Sequence, residues 1–252
     1  MQIIKFKKIG KSKYKLCFEN TELILHEDLI LKYNLLSKRN LDSSQIEILL
    51  KENMFYDAYE SALRLLSVKV RTKKELETLL EKKNYDKSII DKVILKVTEE
   101  GYINDNKYIE LYVNDKVNLS TDGPIKIKNN LLKNELDVNY IDKVLGSISD
   151  DIWKEKIQKI IDKKSKVNKN SSYVFKNKII NYLTNLGYEK NMIYEVLSNN
   201  NFNDNDNYKK ELDKIRKKYS KKYSGSELEF KIKKYMYSKG YSYERVSDNY
   251  EN

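Results

Sequence analysis

The chain repeats itself along most of its length. Ile90-Asp91-Lys92-Val93-Ile94 returns after 51 residues as Ile141-Asp142-Lys143-Val144-Leu145, and after a further 52 as Ile193-Tyr194-Glu195-Val196-Leu197. Val246 continues the series 53 residues later. Upstream, Leu80, Leu131, Leu183 and Met236 share one column, and Tyr85, Leu136, Tyr188 and Tyr241 share another. Asn84, Glu135, Gly187 and Gly240 fill the column between them. A unit of this size is one supersecondary element with too few core residues to stand alone, so its neighbours must stack on it. The period therefore restricts the fold to a tandem array.

Each unit reads as three helices. In the first they span about 57–68, 72–83 and 87–100. Ala58, Ala62, Leu65 and Leu66 form one apolar stripe, Leu76, Leu79 and Leu80 a second, and Ile89, Ile90, Val93, Ile94 and Val97 a third. Thr72-Lys73-Lys74-Glu75 has the spacing of a capping box, as does Ser226-Glu227-Leu228-Glu229. The Asn/Gly column followed by tyrosine fits a left-handed helix end with an apolar residue packing back. Glu135-Leu136 does not fit, which predicts a different helix end in the second unit. Pro124, the only proline, follows Asp122-Gly123 and suits a first helical position. Ile103-Asn104-Asp105 resembles Phe202-Asn203-Asp204 at an offset of 99, and both read as polar caps opening the next unit. A calcium loop at Asp204 and Asp206 would need a Gly at position 6 and a Glu at position 12, and has neither.

The start of the chain differs. Ile3 to Phe6, Tyr14 to Phe18 and Leu23 to Leu25 read as three strands of a meander. A helix is expected over His26–Lys38, and Asp42-Ser43-Ser44-Gln45 caps another. The expected organisation is mostly α: tandem three-helix-bundle repeats in an extended array behind a small β-containing N-terminal domain. The boundaries are 1–56 for that domain and 57–102, 103–149, 150–201 and 202–252 for the four repeats.

Composition argues against most familiar enzyme classes and leaves open a carboxylate-only hydrolase. One cysteine (Cys17) and one histidine (His26) cannot build a zinc site without carboxylates, and no internal disulfide is available. The scattered glycines form no phosphate-binding loop, and no nucleophile elbow is present. No metal or cofactor is expected. The first residues lack the apolar stretch of a secretory signal, and the mean hydropathy of −0.75 is far from that of a membrane protein. A cytoplasmic protein with no membrane partner follows as the expectation. The net charge of +11 suits an acidic partner or a solvated surface equally well.

Several blocks carry a family resemblance. Ala58…Ala62-Leu63-Arg64-Leu65-Leu66-Ser67…Arg71-Thr72-Lys73-Lys74-Glu75-Leu76 resembles the opening block of the RecX family of recombinase regulators. Gly101-Tyr102-Ile103-Asn104-Asp105 is similar to its unit junction, and Asp122-Gly123-Pro124…Ile127…Leu131 to its middle block. Lys221-Lys222-Tyr223 and Ile232…Tyr235-Met236…Gly240-Tyr241-Ser242-Tyr243…Val246 resemble the C-terminal block. Three features depart from the pattern. Lys69 replaces the first arginine of a Ser-x-Arg-x-Arg, Asn134-Glu135-Leu136 replaces Lys-Gly-Ile, and the unit at about 150–201 is additional to a three-unit core.

A monomer is expected, and the resemblance implies a non-enzymatic regulator that binds the nucleoprotein filament of the RecA recombinase. It would lie in the filament groove and mainly inhibit ATP hydrolysis and strand exchange in homologous recombination, DNA repair and the SOS response. Direct contact with single- or double-stranded DNA is also implied. A helix-turn-helix-type DNA-binding protein acting without a recombinase is the alternative that three-helix units allow.

Candidate contacts are basic. Arg64, Lys69, Arg71, Lys73 and Lys74 cluster where the first helix of the first unit ends and the second begins. They suit carboxylates or phosphates, or they solvate a helix end, with Lys69 and Arg71 neutralising its carbonyls. Lys126, Lys128 and Lys133 follow Pro124. Lys217, Lys218, Lys221 and Lys222 form a basic run with Tyr219 and Tyr223, whose rings read as base-stacking residues or as core or boundary residues. Lys163, Lys164, Lys166 and Lys169 form another run, and the first eighteen residues hold six lysines and no acid. Trp153, His26 and Cys17 read as structural.

Overall fold

A computed structural model describes residues 1–242. Strands β1 (Lys5–Ile9), β2 (Lys13–Cys17) and β3 (Glu22–His26) form an antiparallel meander in the order β1-β2-β3, with Phe6 opposite Leu16 and Leu16 opposite Leu23. The alternation of β2 and β3 turns Leu16, Leu23 and Leu25 inward. They join Ile3, Phe18, Leu29, Ile30, Leu35, Leu41 and Leu49 in one buried cluster. A three-stranded sheet needs such a backing to be stable.

Helix α1 covers only Glu27–Lys32, against an expectation of His26–Lys38. His26 is its N-cap, its Nδ1 accepting the Asp28 N–H at 3.2 Å. After Lys32 the chain turns, and Asn34 takes a φ of 49°. That turn lets Leu35 return to the core beneath the sheet.

The two helices expected on either side of residue 56 are one, α2 (Ser43–Val68). Asp42 and Gln45 close its capping box, and nothing from 43 to 68 is Gly or Pro. Its first half buries Leu49 against the sheet. Its second half buries Ala58 and Ala62 against Leu76, Leu80, Ile90, Val93 and Val97. Between them, Asn53 Oδ1 accepts the His26 N–H at 2.8 Å, tying helix to strand edge. The boundary expected at 56/57 thus falls inside a continuous helix.

The remaining helices are α3 (Lys73–Glu81), α4 (Lys87–Glu99), α5 (Asp105–Leu119), α6 (Pro124–Leu132), α7 (Val138–Gly146), α8 (Asp150–Ser165), α9 (Ser172–Asn185), α10 (Lys190–Ser198), α11 (Asn205–Tyr219) and α12 (Gly225–Ser238). The protein is mostly helical, built as tandem three-helix repeats behind the small sheet. Tyr243 and Val246, with the final helix expected around them, lie outside the described residues.

The column of helix ends shares one backbone turn. Asn84, Glu135, Gly187 and Gly240 have φ of 61°, 55°, 87° and 82°. The following tyrosines Tyr85, Tyr188 and Tyr241 donate their N–H to Leu80, Leu183 and Met236, closing each helix end. Glu135 thus takes the same left-handed turn, contrary to expectation, although the closing N–H bond made by the three tyrosines has no counterpart at Leu136. Burial of Leu136 to 5% exposure requires the same turn, and outweighs a left-handed penalty of about 1 kcal/mol. The second expected capping box is absent. Helix α12 starts at Gly225 with Ser224 as N-cap, which places Ser226 inside the first turn.

Two compact units partition the chain: residues 1–110 with 134–136, and residues 111–133 with 137–252. In the second unit the start of one second helix meets the end of the next. Gly123 N–H donates to Leu186 O at 2.6 Å and Ile125 N–H to Gly187 O at 3.1 Å. Ser171 Oγ donates to Lys239 O at 2.9 Å, and a Cβ on Gly240 would lie 2.7 Å from that hydroxyl. In the first unit the Lys74 ammonium, at the start of α3, pairs with Glu135 at 2.9 Å. Helix starts have spare N–H groups and helix ends spare carbonyls, so each end answers the other's need.

Candidate interaction surface

The structure sorts the candidate cations by what they already touch. Arg71, at the end of α2, donates from Nε to Leu65 O at 3.0 Å. It satisfies a carbonyl that the helix leaves open, as the solvation reading of that cluster anticipates. Lys69 lies 3.6 Å from Glu75, and Lys74 pairs with Glu77 and Glu135. Arg64 and Lys73 are exposed. The Lys73 backbone N–H, at the start of α3, donates to Asp105 at 3.1 Å.

The middle group is engaged internally. Lys126 pairs with Asp122 at 2.7 Å, Lys128 with Asp142 at 2.6 Å, and Lys133 donates to Asn130 at 3.1 Å. Gly123 and Pro124 are structural, opening α6 where it abuts α9. In the N-terminal strip Lys8, Lys13 and Lys15 pair with Glu27, Asp57 and Glu22, while Lys5, Lys7 and Lys11 are exposed.

The run in the last repeat is different. Lys217, Lys218, Lys221 and Lys222 are all exposed and pair with no described carboxylate. They sit at the C-terminal end of α11 and in the turn to α12, where cations favour the open carbonyls. From Lys209 to Lys222 there are eight Lys or Arg against two acids. Tyr219 packs edge-on against Tyr223 and Tyr235 with centroids 5.9 and 6.2 Å away, beside Leu212, Ile215 and Ile232. It is a boundary residue that holds the turn in place. The cations at 217–222 are thus open, as are Lys163, Lys164, Lys166 and Lys169, which are exposed and pair with no described carboxylate, whereas Lys69, Lys74, Lys126 and Lys128 are held in internal ion pairs.

Two residues escaped the sequence reading. Phe230 and Tyr237 on α12 are 63% and 65% exposed. Their seven-residue spacing, off the stripe of Ile232 and Met236, was the available signal.

The residues read as structural are packed. Trp153 is buried with its ring 6.4 Å from that of Tyr188. His26 stacks on Tyr56 at 4.7 Å. Among the described residues no three His, Cys, Asp or Glu side chains converge to hold a metal ion. Nor is any described helix long and apolar enough to cross a membrane.

Comparison with known proteins agrees with this architecture. Residues 58–96 match the family described as RecX, first three-helix domain. The regulatory protein RecX of Streptococcus agalactiae serotype Ia is 31% identical over 251 residues, covering 96% of this chain and 97% of the relative. That of Oceanobacillus iheyensis is 26% identical over 88% of this chain and 84% of its own. A crystal structure of a regulatory protein RecX superimposes with a TM-score of 0.69 at 19% identity, over 78% of this chain and 98% of that one. RecX from Lactobacillus salivarius superimposes with a TM-score of 0.55 at 30% identity, over 59% and 97%. Shared from end to end with relatives named as regulatory proteins, and folded as their solved structures are, the chain belongs to the RecX family.

Proposed function

We propose that this protein binds the RecA nucleoprotein filament in the cytoplasm and lowers its ATP hydrolysis and strand exchange, without chemistry of its own. Its resemblance to recombinase regulators over residues 57–252 names the partner. The observation that carries the reading to a surface is the open cationic turn Lys217–Lys222, since Arg71, Lys74, Lys126 and Lys128 already meet partners within the chain. A filament offers both carboxylates and phosphates to such a turn. The repeats 57–102, 103–149, 150–201 and 202–252 would engage successive parts of it, and the monomer suffices.

The test is single-strand-dependent ATP hydrolysis by preformed RecA filaments, titrated with this protein below stoichiometry. A marked fall that survives excess competitor DNA supports the reading. No effect at equimolar protein refutes it. Tight, sequence-selective binding to duplex without RecA would establish the helix-turn-helix alternative instead.

A further inference from the structure

One lysine of α8 is held in a setting that suits its uncharged form. Lys156 is half-buried, and its Nζ donates to Lys116 O at 3.2 Å and to Val117 O at 2.5 Å, at the C-terminal end of α5. The same nitrogen lies 5.5 Å from the centroid of the buried Trp153 ring. Burial pushes the Lys156 ammonium below the usual lysine range; the Asp122 carboxylate opposes this, and the Lys159 ammonium adds to it. Asp122 is itself taken up by Lys126 at 2.7 Å and Lys116 at 3.7 Å, and Glu155 by Lys159 at 2.6 Å. A neutral amine has two N–H groups, so it can keep both α5 carbonyls and still present a lone pair. The side chain lines a cleft of about 390 Å³ together with Thr121, Glu155, Lys159, Ile160 and Lys163. Lys159 and Lys163 stand one and two turns further along α8 and are exposed. Lys163 pairs with no described carboxylate, so the cleft keeps an open cation beside the amine.

The geometry points to Lys156 as a site of acylation by an acyl phosphate. The Nζ lone pair forms the amide bond to the acyl carbon. The bond from that carbon to the phosphate oxygen breaks, its electron pair leaves with inorganic phosphate, and the nitrogen passes one proton to the departing phosphate. Two features select this donor. Only a free amine can attack, and the setting of Lys156 favours one at neutral pH. An acyl phosphate also brings negative charge next to its reacting carbon, where Lys163 and Lys159 would hold it, whereas an uncharged ester brings none. The product amide has one N–H and no charge. It can keep only one of the two carbonyls, leaving the other open at a helix end that favours a cation. Acylation would thus loosen α5, the first helix of the second repeat, from α8, the first helix of the third. This inference goes beyond filament binding and requires no recombinase.

The experiment treats the full chain with acetyl phosphate across a pH series and measures the rate at each lysine by mass spectrometry of peptides from a glutamate-specific protease. At pH 7 Lys156 should react at least about threefold faster than the exposed, unpaired Lys11 and Lys217, and its rate should level off at a lower pH than theirs. Lys163→Gln should slow the reaction of Lys156 with acetyl phosphate at least about threefold, and its reaction with uncharged p-nitrophenyl acetate by much less. Lys156→Gln, which lacks the charge as the amide does, should melt below Lys156→Arg, which keeps it. Acetylation of Lys156 no faster than that of Lys11 and Lys217 overturns the proposal, as does a pH profile shared with them. An equal effect of Lys163→Gln on both reagents overturns the choice of an acyl phosphate as donor. Equal melting of the two Lys156 variants overturns the loosening of α5. Failure of the RecA titration alone would leave this result standing.

Discussion

The carboxylate of Asp204 accepts the backbone N–H of Ser172 at 2.5 Å, across the junction from one repeat to the next. Ninety-nine residues earlier, Asp105 accepts the N–H of Lys73 at 3.1 Å in the same way. Each Asp stands at the start of a first helix and satisfies a free N–H at the start of the preceding repeat's second helix, where negative charge is also favoured. At the corresponding place in the second repeat stands Pro124, which has no N–H to satisfy. Asp204→Ala should therefore destabilise the protein by about 1–2 kcal/mol, and Asp105→Ala by less, because Asp204 is the more buried of the two. Urea unfolding followed by circular dichroism reads both, and equal, negligible losses would show that the junction is held by apolar packing alone.

Three glycines separate close approach from backbone freedom. A Cβ on Gly123, whose φ is ordinary, would lie 2.6 Å from the carbonyl of Gly187. Gly123→Ala should cost more than about 2 kcal/mol, since only movement of one helix end could relieve the clash. Gly101 has a φ of 78° but open space around it, so Gly101→Ala should cost about 1 kcal/mol from strain alone. Gly146 has neither constraint at the end of α7, and Gly146→Ala should stabilise by roughly 0.5 kcal/mol. The order of the three melting temperatures is the readout, and a melting temperature for Gly123→Ala near that of the parent would disprove the close approach.

Glu135 occupies a left-handed position at φ 55° for which Gly187 and Gly240 are suited. Glu135→Gly relieves about 1 kcal/mol of strain and forfeits the partly exposed pair with Lys74, worth ~0–1 kcal/mol. High salt screens that pair, so the variant should be more stable than the parent in 1 M salt by up to about 1 kcal/mol, and by less at low salt. A destabilised variant at both ionic strengths would show that the pairing of Glu135 with α3 is a structural joint.

What the sequence made legible follows from periodicity. The columns at Leu80 and Tyr85 and their equivalents are the core positions and helix ends that the structure uses, because spacing alone determines which side chains share a face. The cap at Thr72 and the position of Pro124 are likewise local chemistry. Three features were illegible for physical reasons. Residue 56 carries no break signal, because the change of partner from sheet to helices occurs along one unbroken helix. Glu135 adopts a conformation that its own propensity opposes, imposed by the packing of Leu136. Whether a lysine is open or paired depends on which carboxylate the fold carries to it. Lys74 meets Glu135 and Lys128 meets Asp142 only after the helices assemble, so composition could not separate them from Lys217 or Lys222.

Tyr188 sets a pH dependence. Burial pushes its phenol up to about 12, with the nearby Asp122 carboxylate adding to the shift, and its O–H donates to Thr121 O at 3.1 Å. An unfolded tyrosine ionises near pH 10. The neutral form is thus favoured by the fold, and the associated stability is complete below pH 10 and lost as pH rises from 10 towards 12. Two pH units correspond to roughly 2–3 kcal/mol. Tyr188→Phe cannot ionise. It should be less stable than the parent by about 1 kcal/mol at pH 8 through the missing hydrogen bond, and should match or exceed it near pH 11.5. Parallel stability curves across that range would mean that the phenol reaches solvent.

The open and engaged cations should respond differently to neutralisation. Changing Lys217, Lys218, Lys221 and Lys222 together to Gln removes four exposed charges whose only local role is to favour the end of α11, so stability should fall by no more than about 1 kcal/mol. If this turn meets the filament, the concentration needed for half-maximal inhibition of RecA ATP hydrolysis should rise at least tenfold. Arg71→Gln with Lys74→Gln should do the reverse. It removes the cap on the Leu65 carbonyl and the pair with Glu135, so the melting temperature should fall while inhibition by the folded fraction persists. Undiminished inhibition by the quadruple variant would remove the turn from the interface. Loss of inhibition with an unchanged melting temperature in the Arg71/Lys74 variant would move the interface to the end of α2, and would mean that Arg71 can leave the Leu65 carbonyl for a partner without penalty.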